Sequence, residues 1–173
     1  DGDSFANCFQ AEVSLNVFER TDLRVAYKYF DVQATMNGGA VDRGTIERAL
    51  VPKNRIFANV AWESHRTDSG SQWKVDATYN WLDSQRYPFT DMSPEAFQLP
   101  ERTPTLGTLN FQVTRVFSPR FEVYLGGENV TNVQQENPIV SADDPFGLYF
   151  DSTFVYGPIF GSSFYTGLRY NLN

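Results

Sequence analysis

Phe121-Glu122-Val123-Tyr124-Leu125-Gly126-Gly127-Glu128-Asn129-Val130-Thr131-Asn132 and the terminal Tyr156-Gly157-Pro158-Ile159-Phe160-Gly161-Ser162-Ser163-Phe164-Tyr165-Thr166-Gly167-Leu168-Arg169-Tyr170-Asn171-Leu172-Asn173 decide the fold. Phe121, Val123 and Leu125 alternate with Glu122, Tyr124 and Gly126. Phe164, Thr166, Leu168 and Tyr170 alternate with Tyr165, Gly167, Arg169 and Asn171. A period of two belongs to a strand and puts each set on its own face. The face of Leu168 is apolar or aromatic at most positions, and the face of Arg169 is mostly polar. A soluble sheet turns such an apolar face to a core, and a membrane barrel turns it to lipid.

The same alternation extends upstream. Residues 9–18 set Val13, Leu15 and Val17 against Glu12, Ser14 and Asn16, and a polar turn follows at Glu19-Arg20-Thr21-Asp22. Leu23, Val25, Tyr27 and Tyr29 then alternate with Arg24, Ala26 and Lys28, which completes a hairpin signal. Ile56, Ala58, Val60 and Trp62 form the next set. After a turn at 66–70 come Trp73, Val75, Ala77, Tyr79 and Trp81, and then Leu109, Phe111 and Val113. Ser118-Pro119-Arg120 is a short turn. Long connections run near 36–54, which carries Asn37-Gly38-Gly39, near 83–104, and near 132–161, with a short strand expected around 149–156. The connections therefore alternate short and long. That is the arrangement of an outer-membrane barrel, with short periplasmic turns and long outer loops.

About seven strands are expected, an odd number that cannot close an up-and-down antiparallel barrel by itself. Strands on the N-terminal side are therefore expected to complete the sheet, because two long free edges are a liability. On this reading Val13, Val25, Val60, Val75, Phe111, Val123 and Leu168 share the outward face, with Val75 near mid-strand. Trp62, Trp73, Phe117, Phe121 and Tyr170 form a girdle at the periplasmic ends, and Tyr29, Tyr79 and Trp81 form one at the outer ends.

Composition is consistent with strands. Of 173 residues, 41% are hydrophobic and 16% aromatic, chiefly Phe and Tyr, which favour strands. No run reaches the roughly 18 apolar residues of a membrane helix. The sequence carries no secretory leader pattern; Asp1-Gly2-Asp3-Ser4 reads as a loop, so a mature chain or a fragment is expected. A formal net charge of −7 disfavours nucleic acid, whose phosphates call for clustered Lys and Arg. The single cysteine, Cys8, leaves no internal disulfide and no multi-cysteine metal site.

Gly127-Glu128-Asn129-Val130-Thr131-Asn132 resembles the G-x-E-N-L-x-N end of the penultimate strand in TonB-dependent outer-membrane receptors. The terminal segment resembles that family's last strand, entered after a Gly-Pro turn and finished in alternating aromatics. Asn137-Pro138-Ile139 and Tyr156-Gly157-Pro158-Ile159 look most like receptors of the Bacteroidetes type. Val51-Pro52-Lys53-Asn54-Arg55 and Trp73-Lys74-Val75-Asp76-Ala77-Thr78 are similar at the level of pattern. One departure is that the family usually ends on an aromatic residue, whereas this chain continues past Tyr170. Either a few residues follow, or Tyr170 takes that role from slightly inside.

The resemblance implies the C-terminal third of an antiparallel transmembrane β-barrel of roughly 22 strands around a plug. It implies a place in the bacterial outer membrane and energy-coupled uptake of a scarce nutrient, such as a siderophore, another metal complex, a vitamin or a glycan. The implied partners are outer-membrane lipid, the N-terminal barrel strands and plug of the same receptor, the TonB complex acting through the plug, and a surface lipoprotein. The alternative is a soluble or self-contained β-sheet binding module that buries Val75, Tyr79, Phe111, Leu125 and Leu168.

No catalytic constellation is present, and no cofactor is expected. His65 is the single histidine, and Ser64 beside it on a strand would point to the opposite face. No Gly-rich loop leads into Lys-Ser/Thr, so nucleotide binding has no support. Alternation places Lys28, Asp76, Asn80, Asn110 and Gln112 on the lumen face as candidate ligand contacts. The third connection adds Asp143 and Asp144; with Glu128, Glu136 and Asp151 it is acidic and has no Lys or Arg between Gly127 and Pro158. Carboxylates gather hard cations, but this spacing matches no cation loop and reads better as a solvated surface. Asn129-Val130-Thr131 is a formal glycosylation triplet without expected meaning in a bacterial protein.

Overall fold

The structure, a computed structural model, describes residues 4–35 and 43–172. The Asp1-Gly2-Asp3 end and the Asn37-Gly38-Gly39 turn signal lie outside the described residues. Eight strands follow in order: β1 Phe5–Phe18, β2 Thr21–Thr35, β3 Thr45–Glu47, β4 Asn54–Glu63, β5 Gln72–Leu82, β6 Leu106–Ser118, β7 Phe121–Glu128 and β8 Ser163–Tyr170. They form one antiparallel sheet in the order β1-β2-β4-β5-β6-β7-β8, with the short β3 on the end of β2. The only helical element among the described residues is a single 3-10 turn, Glu95–Phe97. No helix is long and apolar enough to cross a membrane, which says nothing of strands.

The register shows why the alternation matters. Leu23 faces Leu15 and Val60, Val60 faces Ala77, Ala77 faces Phe111, Phe111 faces Gly127, and Gly127 faces Phe164. One step along, Arg24 faces Ser14 and Asn59, Asn59 faces Thr78, and Thr78 faces Asn110. Directly paired residues share a face, so apolar and polar rows alternate across the whole sheet. All seven residues expected outward lie on the apolar face, and so do the aromatics of both expected girdles. Val75 is not the deepest of them: it stands directly opposite Trp62, in the lower girdle, while Val60 stands opposite Ala77.

Among the described residues no second layer covers either face. Among the described residues no large side chain is fully buried, and besides Pro52 the buried apolar side chains are Tyr87, Leu106 and Val116. Every residue of β1 is exposed. On the apolar face Leu125 is 52% exposed and Leu168 68%, Tyr79 is exposed, and Val75 and Phe111 are half-buried. The two sheet edges, β1 and β8, each have a single partner, so the sheet is open.

The turns segregate. β1–β2, β4–β5 and β6–β7 are joined by short turns at one end, and the three long connections lie at the other. Arg20, in the first short turn, has a positive φ of 61°. Several boundaries differ from the sequence expectation. Thr21 and Asp22 belong to β2 and not to the turn. β1 begins at Phe5, because its upper part pairs Asn7 with Asp31 and Cys8 with Phe30, which breaks the apolar/polar alternation without breaking the ladder. β3 adds a strand inside the first connection. No strand forms at 149–156; a lone bridge joins Val140 to Asp151, and Gln135 takes the backbone groups of Phe154, Tyr156 and Gly157 instead.

The last hairpin is locked reciprocally on the polar face. Tyr165 lies across Gly126 and Tyr124 lies across Gly167, each where a Cβ would collide with the ring. Aromatic cover of strand glycines is a register-pinning device. Backbone bonding follows from one contact beyond the strands. The N–H of Asn171 donates to the Arg120 carbonyl at 2.9 Å. Bonded and non-bonded pairs alternate in an antiparallel ladder. Glu122/Arg169 and Tyr124/Gly167 are thus bonded pairs, and Val123/Leu168 is not. The Leu168 N–H points away from β7, to the open edge.

Candidate functional site

Two regions carry the polar chemistry: the polar face of the sheet and the cap made by the long connections. On the polar face Asp76 stands opposite Gln112, Thr78 opposite Asn110, and Asn80 opposite Thr108. Four of the five expected sheet residues therefore form one patch on β5 and β6. Lys28 stands apart, on β2 between Gln10 and Arg55.

Their hydrogen bonds separate them further. The Asn59 amide donates to Asp76 Oδ2 at 3.0 Å and to Thr78 Oγ1 at 2.8 Å. Asn110 Oδ1 accepts the Asn129 N–H at 2.8 Å. Gln112 donates to Thr114 at 3.2 Å and accepts the Tyr165 hydroxyl at 3.1 Å. Among the described residues, Asn80 makes no side-chain hydrogen bond and Lys28 no ion pair; the Lys28 ammonium sits 4.9 Å from the Phe30 ring centroid. Asn110 and Gln112 thus brace the sheet, while Lys28 and Asn80 keep their polar groups available. Asn59 and Tyr165 escape sequence reasoning as site residues, because their roles depend on which strands pair. Only their parity with Asp76 and Gln112 hints at the shared face.

At the other end, the connections are tied to one another. Arg102 meets Glu47 at 3.0 Å and also donates to Ser84. The bond to Glu47 raises the Arg102 pKa further, and burial lowers that of Arg86. Arg86 donates to the Glu47 and Tyr87 carbonyls, each at 2.7 Å. The second connection reaches the third where Tyr87 meets Tyr156 edge to face, with centroids 5.6 Å apart.

The Glu-Asn-Val-Thr-Asn segment closes the third connection. Asn129 and Asn132 adopt positive φ, 48° and 55°, which Asn tolerates. The Asn129 amide donates to the Val133 carbonyl at 2.8 Å and the Phe160 carbonyl at 3.2 Å, so it is engaged and buried. Asn132 Oδ1 accepts the Ser162 N–H at 3.1 Å. An amide that donates and accepts at once suits a clamp between two ends of a loop.

Burial first, and the Tyr156 phenol second, push the Tyr87 pKa up to about 12. A phenol that ionises later when folded than when unfolded stabilises the fold fully below about pH 10. That contribution is lost as pH rises toward 12. Ultraviolet titration is expected to show one tyrosine ionising late, and Tyr87→Phe is expected to remove that late step.

Asp143 and Asp144 are exposed and stand away from the sheet patch, in a turn where the Asp144 N–H meets the Ser141 carbonyl at 3.1 Å. Among the described residues no group of three His, Cys, Asp or Glu could hold a metal ion. His65 is exposed at a short turn, 3.5 Å from the Arg20 guanidinium. The Ser64 hydroxyl donates to the His65 carbonyl and accepts from Trp73 N–H, with no contact to the imidazole. Cys8 is free and exposed. No protein-family model, no curated protein and no solved structure matches this chain.

Proposed function

We propose that this sheet is part of the wall of a TonB-dependent outer-membrane receptor, taking part in energy-coupled uptake of a nutrient. One observation carries the reading. A single apolar face runs through all seven long strands, rimmed by aromatics and covered by no second layer, with every short turn at one end and every long connection at the other. In water such a face is an exposed patch far larger than monomers carry; in lipid it is a wall. The long strands run 8 to 15 residues, which brackets the roughly 9–11 that span a bilayer. The terminal Gly-Glu-Asn-Val-Thr-Asn resemblance supplies the family. The polar face then borders the lumen, and of the five sheet residues expected there Lys28 and Asn80 are the two with unused polar groups. Further barrel strands would pair with β1 and β8.

Nitroxide labels test the reading in the intact protein reconstituted in lipid. Labels at Val25, Val60, Phe111 and Leu168 are expected to be quenched by oxygen and shielded from aqueous reagents, and labels at Asn59, Asn80 and Asn110 the reverse. A dry protein environment at the first set would overturn the membrane reading in favour of a self-contained binding module. Uptake that persists without the inner-membrane coupling complex would overturn the receptor assignment.

A further inference from the structure

We propose that the groove between the second and third connections holds the head group of a small quaternary alkylammonium ligand. Phe89, Phe97, Tyr149, Phe150 and Phe154 line a cavity of about 210 Å³ together with Asp151. Phe97 and Tyr149 stack with centroids 4.9 Å apart and planes 16° apart, so the two connections meet through ring faces. Rings attract cations through the negative face of their quadrupole. Phe89 already does so, with the Arg43 guanidinium 3.6 Å and the Arg86 guanidinium 4.5 Å from its centroid.

Charge selects the sign of the occupant. Asp151 is the single charged residue in the lining. Its Oδ1 accepts from the Thr153 N–H at 2.7 Å and hydroxyl at 2.6 Å, and its Oδ2 accepts no protein hydrogen bond among the described residues. Asp143 and Asp144 lie on the same connection, which has no Lys or Arg between Gly127 and Pro158. Neither arginine at Phe89 lies in the lining: Arg43 is paired with Asp91 at 2.6 Å, and Arg86 is turned to the Glu47 and Tyr87 carbonyls. An anion would meet the carboxylates without a compensating cation in the lining.

Size and polarity narrow the class. The cavity is below the roughly 300–1,000 Å³ of pockets for drug-sized ligands, so it fits a head group. A bare metal ion needs about six or more oxygen ligands, which the rings do not offer. Five of the ten lining residues are aromatic, so a head that spreads its charge over methyl groups meets more of the lining than a primary ammonium does, with the Thr90 and Ser93 hydroxyls beside it.

Choline is the probe, titrated into the intact protein in detergent and followed by saturation-transfer NMR. Saturable choline binding is expected. The uncharged isostere 3,3-dimethylbutan-1-ol and methyl glucoside are each expected to bind at least about tenfold more weakly, within the range of a desolvated cation–π contact. Asp151→Asn keeps acceptors for Thr153 and removes the charge, and is expected to weaken choline about threefold or more at low salt. Phe97→Leu is expected to weaken it about tenfold. Equal binding of the neutral alcohol, tighter binding of the sugar, no choline binding, or an unchanged affinity in Asp151→Asn each overturns the proposal. If Phe97→Leu does not fold, the isostere comparison and Asp151→Asn still decide. The groove lies wholly in the connections, so these outcomes are independent of the membrane reading that the labels test.

Discussion

Replacing Leu168 by proline is expected to abolish assembly of the intact protein while leaving the β7–β8 hairpin able to form. The reason is directional. Leu168 is in a non-bonded pair with Val123, so its N–H does not serve the β7 ladder. It faces the open edge, where proline is tolerated if water is the neighbour. If another strand closes a barrel there in lipid, the missing donor leaves a partner carbonyl unsatisfied, at a cost of several kcal/mol. Arg169→Pro, one residue on, removes a bond inside the hairpin and is expected to fail in either setting. The measurement is the yield of heat-modifiable protein on gels after expression. Assembly of Leu168→Pro at the parent level would show that β8 is a free edge and would remove the barrel reading.

The second large effect is expected at Val60. An arginine there stands on the apolar face opposite Ala77 and Leu23, between the two aromatic rims. Under the proposed membrane placement, an arginine near the bilayer midplane costs about 2–4 kcal/mol, falling to about 0–1 near an interface. Val75→Arg, beside Trp62 in the lower rim, is expected to cost less than Val60→Arg. Asn80→Lys, on the polar face with no side-chain hydrogen bond to lose, is expected to cost little. Urea unfolding in lipid vesicles reads all three. Equal small losses at Val60 and Val75 would mean that the apolar face meets water.

Much of the sheet was legible without coordinates, because a strand writes its two faces into alternate residues. Val75 to Trp81 and Phe164 to Tyr170 showed their faces and their strand type by periodicity alone, and the placement of short turns and long connections followed from the gaps. The shared polar face of Asp76, Asn80, Asn110 and Gln112 was legible by the same parity. Alternation failed where the environment stops being two-sided. At Asn7, Cys8 and Asp31 the ladder continues beyond the apolar band, so hydrophobicity no longer marks the pleat. In the third connection the apolar and aromatic residues near 149–156 pack against loops, and Gln135 satisfies their backbone in place of a strand partner.

Some properties were beyond any one-dimensional reading. Which polar-face residues are engaged depends on cross-strand neighbours: Asn59 reaches Asp76 across the β4–β5 hairpin, and Tyr165 reaches Gln112 across strands distant in sequence. The same holds for the Tyr124/Gly167 and Tyr165/Gly126 locks, for the direction of the Leu168 N–H, and for the aromatic groove between Phe97 and Tyr149. Periodicity determines which face a side chain takes, since that is a local property of the extended backbone. Register and loop docking determine what the side chain meets, and these are set by the pairing of segments far apart along the chain.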